Sequence, residues 1–154
     1  MLQRYKILLY NAEKAEWYEM KTDEIISKIL ETTHTVAVVG LSSRPERAGY
    51  YVPAYLQTHG YRIIPVNPSL EQALGEKAFP DLLSVPVPVD LVLLFRRSEQ
   101  VPPFAEQAVR IRAKAIWMQS GIVSRDATQI ARRAGLDVVM DRCMMVEHQR
   151  WIGR

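Results

Sequence analysis

Thr35-Val36-Ala37-Val38-Val39-Gly40-Leu41-Ser42-Ser43-Arg44-Pro45-Glu46-Arg47-Ala48-Gly49 is the stretch on which the fold turns. Its first five residues form a short, continuous apolar run rich in valine, the pattern of a strand covered on both faces. The run stops at Gly40, and after a polar loop the apolar positions Val52, Tyr55 and Leu56 recur at one-face helical spacing. A buried strand that feeds a helix through a glycine-bearing loop is the opening half of a strand–helix–strand unit.

The rest of the chain repeats this grammar. Arg62–Val66, Leu91–Phe95, Ala115–Met118 and Val138–Met140 are further short apolar runs. Between them lie helical faces at Ala105, Ala108 and Val109, and at Ala127, Ile130, Ala131 and Ala134. Ahead of the first strand, Asp23 and Glu24 suit the positive end of a helix of about ten residues whose apolar face is Ile26, Ile29 and Leu30. Alternation of this kind requires right-handed crossovers and puts helices on both faces of a parallel sheet. The expected architecture is a single α/β domain, Rossmann-like and doubly wound, around a mainly parallel five-stranded sheet. The crossover from Pro68 to Pro88 is irregular, with short helical turns expected at 70–74 and 81–83, and Pro65 marks an edge or a bulge.

Composition agrees with one domain, since 154 residues at 48% apolar content are enough for one core and too few for two large ones. No apolar run approaches the roughly 20 residues that span a bilayer, so no membrane association is expected. A single cysteine, Cys143, excludes an internal disulfide, and with His34, His59 and His148 far apart no metal site is expected. These features fit a cytoplasmic protein. The net charge of +3 is mild and the arginines are dispersed, which is no nucleic-acid footprint. Residues 1–20 mix charged and aromatic side chains at no period and read as an N-terminal extension to a domain at 21–154.

Open parallel sheets bind ligands beyond the carboxyl ends of their strands. After the first strand, Gly40 lets backbone approach a phosphate, Ser42 and Ser43 offer hydroxyls, and the helix start that follows favours an anion. Arg44 and Arg47 add charge-assisted bonds. The competing reading of this loop is a plain turn with solvated arginines. The G-x-G-x-x-G fingerprint and the P-loop pattern are both absent. After the second strand, Val66-Asn67-Pro68 carries no acid for a ribose, which argues against NAD and leaves NADP open. Phe95-Arg96-Arg97 puts a ring and two cations at the third strand's end, suited to an adenine or a phosphate. Gln119-Ser120-Gly121 closes the fourth strand with polar groups that can line a ligand chain.

Read in order, these motifs resemble the small stand-alone CoA-binding proteins, and also the nucleotide-binding domain of the succinyl-CoA synthetase alpha subunit. The resemblance runs from about Asp23 to about Gln149 and is carried by 36–42, 59–68, 89–92, 95–97, 117–121 and 139–143. It implies coenzyme A or an acyl-CoA as ligand. It places the CoA phosphates on the Gly40–Arg47 loop, the adenosine beside Val66-Asn67-Pro68 and Phe95-Arg96, and the pantetheine along Gln119-Ser120-Gly121. The synthetase has a lysine after its second strand where this chain has Pro68-Ser69-Leu70, so Arg44 or Arg47 would supply that charge. The chain stops before the synthetase's phosphohistidine segment and carries no ATP-grasp domain, so ligase activity alone is not expected.

The function expected is therefore a non-catalytic CoA-binding module, with a homo-oligomer or a larger enzyme partner left open. Its rival is an NADP- or acyl-CoA-dependent enzyme with unidentified catalytic residues. Cys143 is read as a small buried hydrophobe, with a mixed disulfide to CoA as the alternative. Glu147 and His148 are read as a solvated or packed tail rather than an acid–base pair.

Overall fold

The computed structural model describes residue 12 and residues 21–154. Apart from Ala12, the extension expected at 1–20 lies outside the described residues. Helix α1 (21–32) leads into β1 (Thr35–Val39), α2 (Ala48–Thr58) and β2 (Arg62–Val66). A small hairpin follows, β3 (Gln72–Ala73) and β4 (Glu76–Lys77), and then a 3₁₀ turn at Leu82–Ser84. The chain continues through β5 (Leu91–Leu94), a 3₁₀ turn at Ser98–Gln100, α3 (Val101–Arg110) and β6 (Ala115–Met118). It closes with α4 (Arg125–Arg133), β7 (Asp137–Val139) and α5 (Met144–Ile152).

The main sheet has five strands in the order β2-β1-β5-β6-β7, every pairing parallel. This is the doubly wound sheet read from the sequence. Its side chains divide by a period of two. Val36, Val38, Leu91, Leu93 and Trp117 pack with α1, α2 and α5 on one face, through Ile26, Ile29, Val52, Leu56 and Met144. Ala37, Val39, Val92, Leu94, Ile116 and Met118 pack with α3 and α4 on the other, through Ala105, Ala108, Ala127 and Ala131. Both faces are thus dry, which is why the strands read as continuous apolar runs.

β2 is an edge strand, and Pro65 sits there at no cost to the ladder. Its carbonyl points away from β1 and accepts from Phe79 N at 2.9 Å, so the missing N–H lies on the outer side too. The helical turn expected at 70–74 is instead the β3–β4 hairpin. Leu74 (φ 51°) and Gly75 (φ 74°) both take positive φ, which builds the two-residue reversal that suits strand twist and excludes a helix. The turn expected at 81–83 is present one residue later, capped by Asp81 Oδ1, which accepts from Ser84 N at 2.8 Å.

At the amino ends of the strands the charges are paired. Asp90 Oδ2 accepts from His34 N and Thr35 N, both at 3.0 Å, while Oδ1 meets Lys114 Nζ at 3.3 Å. Burial pushes the Asp90 carboxyl up, but those two amides and the Lys114 ammonium outweigh it and hold it below the ordinary carboxylate value. Lys28 Nζ lies 2.8 Å from Asp137.

Candidate functional site

The strand order reverses between β1 and β5: the chain leaves β1 toward one face of the sheet and β5 toward the other, opening a crevice at their carboxyl ends. Gly40 and Phe95 meet in that crevice. Gly40 has φ +83°, and a Cβ there would stand 2.8 Å from the Phe95 carbonyl oxygen. Gly40 N also donates to Val66 O at 2.9 Å, so backbone fills both sides of the residue. Nine residues on, a Cβ at Gly49 would meet Gly40 O at 3.2 Å. Two glycines therefore let the start of α2 settle onto the end of β1.

The loop between them is held by itself. Ser42 N donates to Gly49 O at 3.0 Å, and Ser42 Oγ accepts from Arg44 N at 3.1 Å. Arg44 is turned to Glu46, at 2.8 Å between exposed side chains. Arg47 is the N-cap of α2 in extended conformation, and no side chain caps the helix. The start of the helix, Arg47 to Gly49, lines with Gly40, Ser42 and Phe95 a space of about 360 Å³.

A second, larger chamber of about 560 Å³ adjoins it, since Ala48 and Phe95 line both. Its walls are Tyr51 from α2, Phe95 to Ser98 after β5, Gln119 to Ile122 after β6, and Cys143, Met145 and Val146 at the start of α5. Gln119 is buried, and its Oε1 accepts from Met144 N at 2.8 Å, which fixes the α5 N-terminus against the chamber. Asp141 Oδ1 accepts from Gly121 N at 2.6 Å, and Ser98 Oγ accepts from Val123 N at 3.0 Å. The three loops are thus tied to one another.

The structure gathers Gly40, Ser42 and Arg47 at the smaller hollow, Phe95 between the two, and Arg96, Gln119, Ser120 and Gly121 at the larger. Arg96 also lies over the glycine, its Cδ within 3.4 Å of where a Gly40 Cβ would be. Ser43, Arg44, Val66, Asn67 and Pro68 line neither space. Val66 is buried in the sheet, and Asn67 is used structurally: Nδ2 donates to Leu41 O at 3.0 Å and Oδ1 accepts from Ser69 N at 2.9 Å. Tyr51, Ile122, Met145 and Val146 were not among the residues expected from sequence, whereas Cys143, read as a buried hydrophobe with a thiol near CoA as the alternative, lines the chamber and is half-buried. Those of α5 follow from applying the strand-end rule to the fifth strand as well.

Glu147 and His148 are packed, as one of the two readings had it. His148 Nδ1 shares a hydrogen bond with Tyr55 Oη at 2.8 Å, and Glu147 meets Arg142 and Arg150, both at 3.4 Å. Burial and the neighbouring His59 hold His148 below the usual imidazole value, and burial with Tyr55 beside it pushes the Tyr61 hydroxyl up to about 12. Among the described residues no helix is long and apolar enough to cross a membrane, and no cluster of three metal-ligating side chains forms.

Known proteins resemble this chain in sequence and fold. The family described as the CoA binding domain matches residues 34–149. YneT, an uncharacterized protein of Bacillus subtilis (strain 168), is 44% identical over 123 residues, covering 80% of this chain and 91% of its own. The solved structure of a hypothetical protein from Pyrococcus horikoshii OT3 superposes with a TM-score of 0.82 at 41% identity, over 85% of this chain and 92% of that one. ADP-forming acetate–CoA ligase I of Archaeoglobus fulgidus is 26% identical over 119 residues, which are 71% of this chain but 17% of the ligase. With a relative of 44% identity matched over nearly its whole length and a family match across most of the domain, this chain belongs to the CoA binding domain family.

Proposed function

We propose that the chain binds coenzyme A or an acyl-CoA along the carboxyl edge of its sheet and catalyses no reaction alone. The observation that carries this is the hollow beside the closely packed Gly40 and Gly49, lined by Ser42, Arg47 and Phe95 and adjoining, through Ala48 and Phe95, a chamber lined by residues that follow three strands. The phosphates rest on Gly40, Ser42, Arg47 and the uncapped start of α2, where backbone dipoles and a cation act together. Arg96, reaching over Gly40, supplies the charge for which the sequence pointed to Arg44 or Arg47. Phe95 borders the adenosine, and Gln119, Ser120 and Gly121 line the path of the pantetheine. Val66, Asn67 and Pro68 support that site from behind, through Asn67 and the Leu41 carbonyl.

The absence of catalysis in this proposal rests on how Glu147 and His148 are used: both are buried in partnerships with Arg142, Arg150 and Tyr55 and line neither space. A cytoplasmic setting is part of the same proposal. Calorimetric titration with CoA, dephospho-CoA and NADP tests it. CoA is expected to bind most tightly, and Arg47→Ala combined with Arg96→Ala to weaken it roughly 100-fold, from two charge-assisted contacts, with little change in melting temperature. Preference for NADP, or no binding of CoA, would overturn the reading.

A further inference from the structure

We infer that His148 couples ligand binding to pH: a proton taken up there draws α5 away from α2 and weakens the hold on coenzyme A at the carboxyl edge. The inference rests on the CoA-binding reading and adds a control on that same groove.

α5 is nine residues long and has a task at each end. Met145 and Val146 on its first turn line the larger chamber, and so does Tyr51 on the first turn of α2. One turn further on, His148 is 3% exposed and its Nδ1 shares the 2.8 Å hydrogen bond with Tyr55 Oη of α2. Ring centroids of His59, Tyr55, Tyr61 and Trp151 stand 5.1, 5.5, 5.6 and 5.8 Å from that of His148. α2 itself carries no acidic or basic residue from Ala48 to Thr58. α1 joins the cluster through Tyr61 Oη, which donates to Leu30 O at 2.7 Å, and its Lys28 is turned to Asp137. On α5 the neighbouring Glu147 is engaged by Arg142 and Arg150. Among the described residues the charge whose field reaches His148 is that of His59, a second imidazole, and it acts with burial to hold His148 below its ordinary value.

A proton on His148 therefore places a charge without a counter-charge inside a buried ring cluster, beside a group that ionises in the same range. Drawing α5 back from α2 lets water reach the ring and relieves that cost. Because so short a helix tilts as one piece, Met145 and Val146 move with His148, and the bond from Met144 N to Gln119 Oε1 bends. The chamber loses the wall that the neutral form holds in place. Linkage makes the effect mutual, so a ligand in the groove makes His148 harder to protonate.

The test measures CoA affinity at about pH 8 and about pH 5 in the full chain and in His148→Gln, whose side chain can still bond Tyr55 but takes up no proton. The ligand's own phosphate titrates near about pH 6 with either protein, so the comparison isolates the histidine. Between the two pH values the full chain is expected to lose roughly fivefold more affinity than the variant, the low end of ordinary coupling. Independently of any variant, the His148 titration midpoint, followed by NMR in the full chain, is expected to fall when CoA is added. Equal losses in two folded proteins, or a midpoint that CoA leaves unmoved, overturns the coupling while CoA binding stands. Failure to bind CoA at about pH 8 overturns both readings.

Discussion

The two ends of the same parallel sheet are built to opposite purposes. At the amino ends, Lys28 meets Asp137 and Lys114 meets Asp90, around a hollow of about 440 Å³ that Arg112 also lines. At the carboxyl ends, Arg47, Arg96 and Arg97 have no ion-pair partner among the described residues, around spaces of about 360 and 560 Å³. Cavity size does not separate them. What separates them is how much of the charge is paired within the chain: both carboxylates at the amino end hold a lysine, while Arg47, Arg96 and Arg97 at the carboxyl end hold no carboxylate. Helix polarity pushes the same way, because a strand–helix–strand crossover aims helix N-termini at the carboxyl edge and C-termini at the amino edge. α1, α3 and α4 deliver their last turns, with Thr32, Val109 and Ala134, to the first hollow. α2 and α5 deliver their first turns to the others.

Gly40→Ala attacks the binding end where it is also structural, and should have the largest effect. A methyl 2.8 Å from Phe95 O on a backbone at φ +83° costs roughly 3 kcal/mol, or about 10 °C in melting temperature. Thermal melts within a degree or two of each other would mean that the β1–β5 crevice is soft. Asp90→Ala attacks the opposite end, leaving His34 N and Thr35 N without their shared acceptor, at a cost of about 1–2 kcal/mol in urea unfolding. Its affinity for CoA should stay within about twofold of wild type, the mirror image of the Arg47 and Arg96 double substitution. If Asp90→Ala weakened binding as strongly as stability, the division between the two ends would fail.

The smallest effect is in the pH dependence of stability, and comes from the helix layer between the ends. His148 joins α5 to α2 through Tyr55, and its folded value lies below the ordinary 6.5. The unfolded chain therefore takes up the proton first, so this contribution is complete above about pH 6.5 and is lost as the pH falls below it. Asp90, also lowered, behaves as a carboxylate: its contribution is present above the ordinary carboxylate range and is lost in stronger acid. Urea midpoints at about pH 8 and about pH 5.5 should differ in wild type and differ less in His148→Phe, since the lowered His148, unlike Asp90, contributes within that window. Identical slopes in the two proteins would assign the effect elsewhere.

Much of this was legible beforehand, for reasons that lie in particular residues. The valines of β1 and the leucines of β5 are apolar on both faces because each face meets a helix layer, and that doubles the signal a strand leaves in the sequence. Gly40 was legible because no other residue tolerates its φ and its contact with Phe95. The motif records that Arg44 is present in the loop, not that Glu46 two residues on will pair with it. Nor does it record that the Asn67 amide bonds to Leu41 and Ser69. The β3–β4 hairpin went unread because Leu74, a residue that rarely takes positive φ, makes half of its turn.

By itself the sequence determined the order of the main strands and helices and the parallel sheet they must form, since these follow from local periodicity and chain chirality. Only the tertiary structure decided which arginines at the carboxyl edge have no carboxylate partner and that the start of α5 lines the chamber. Those outcomes depend on contacts between segments far apart in the chain, such as Gln119 with Met144 and Gly40 with Phe95, and local pattern carries no record of such distances.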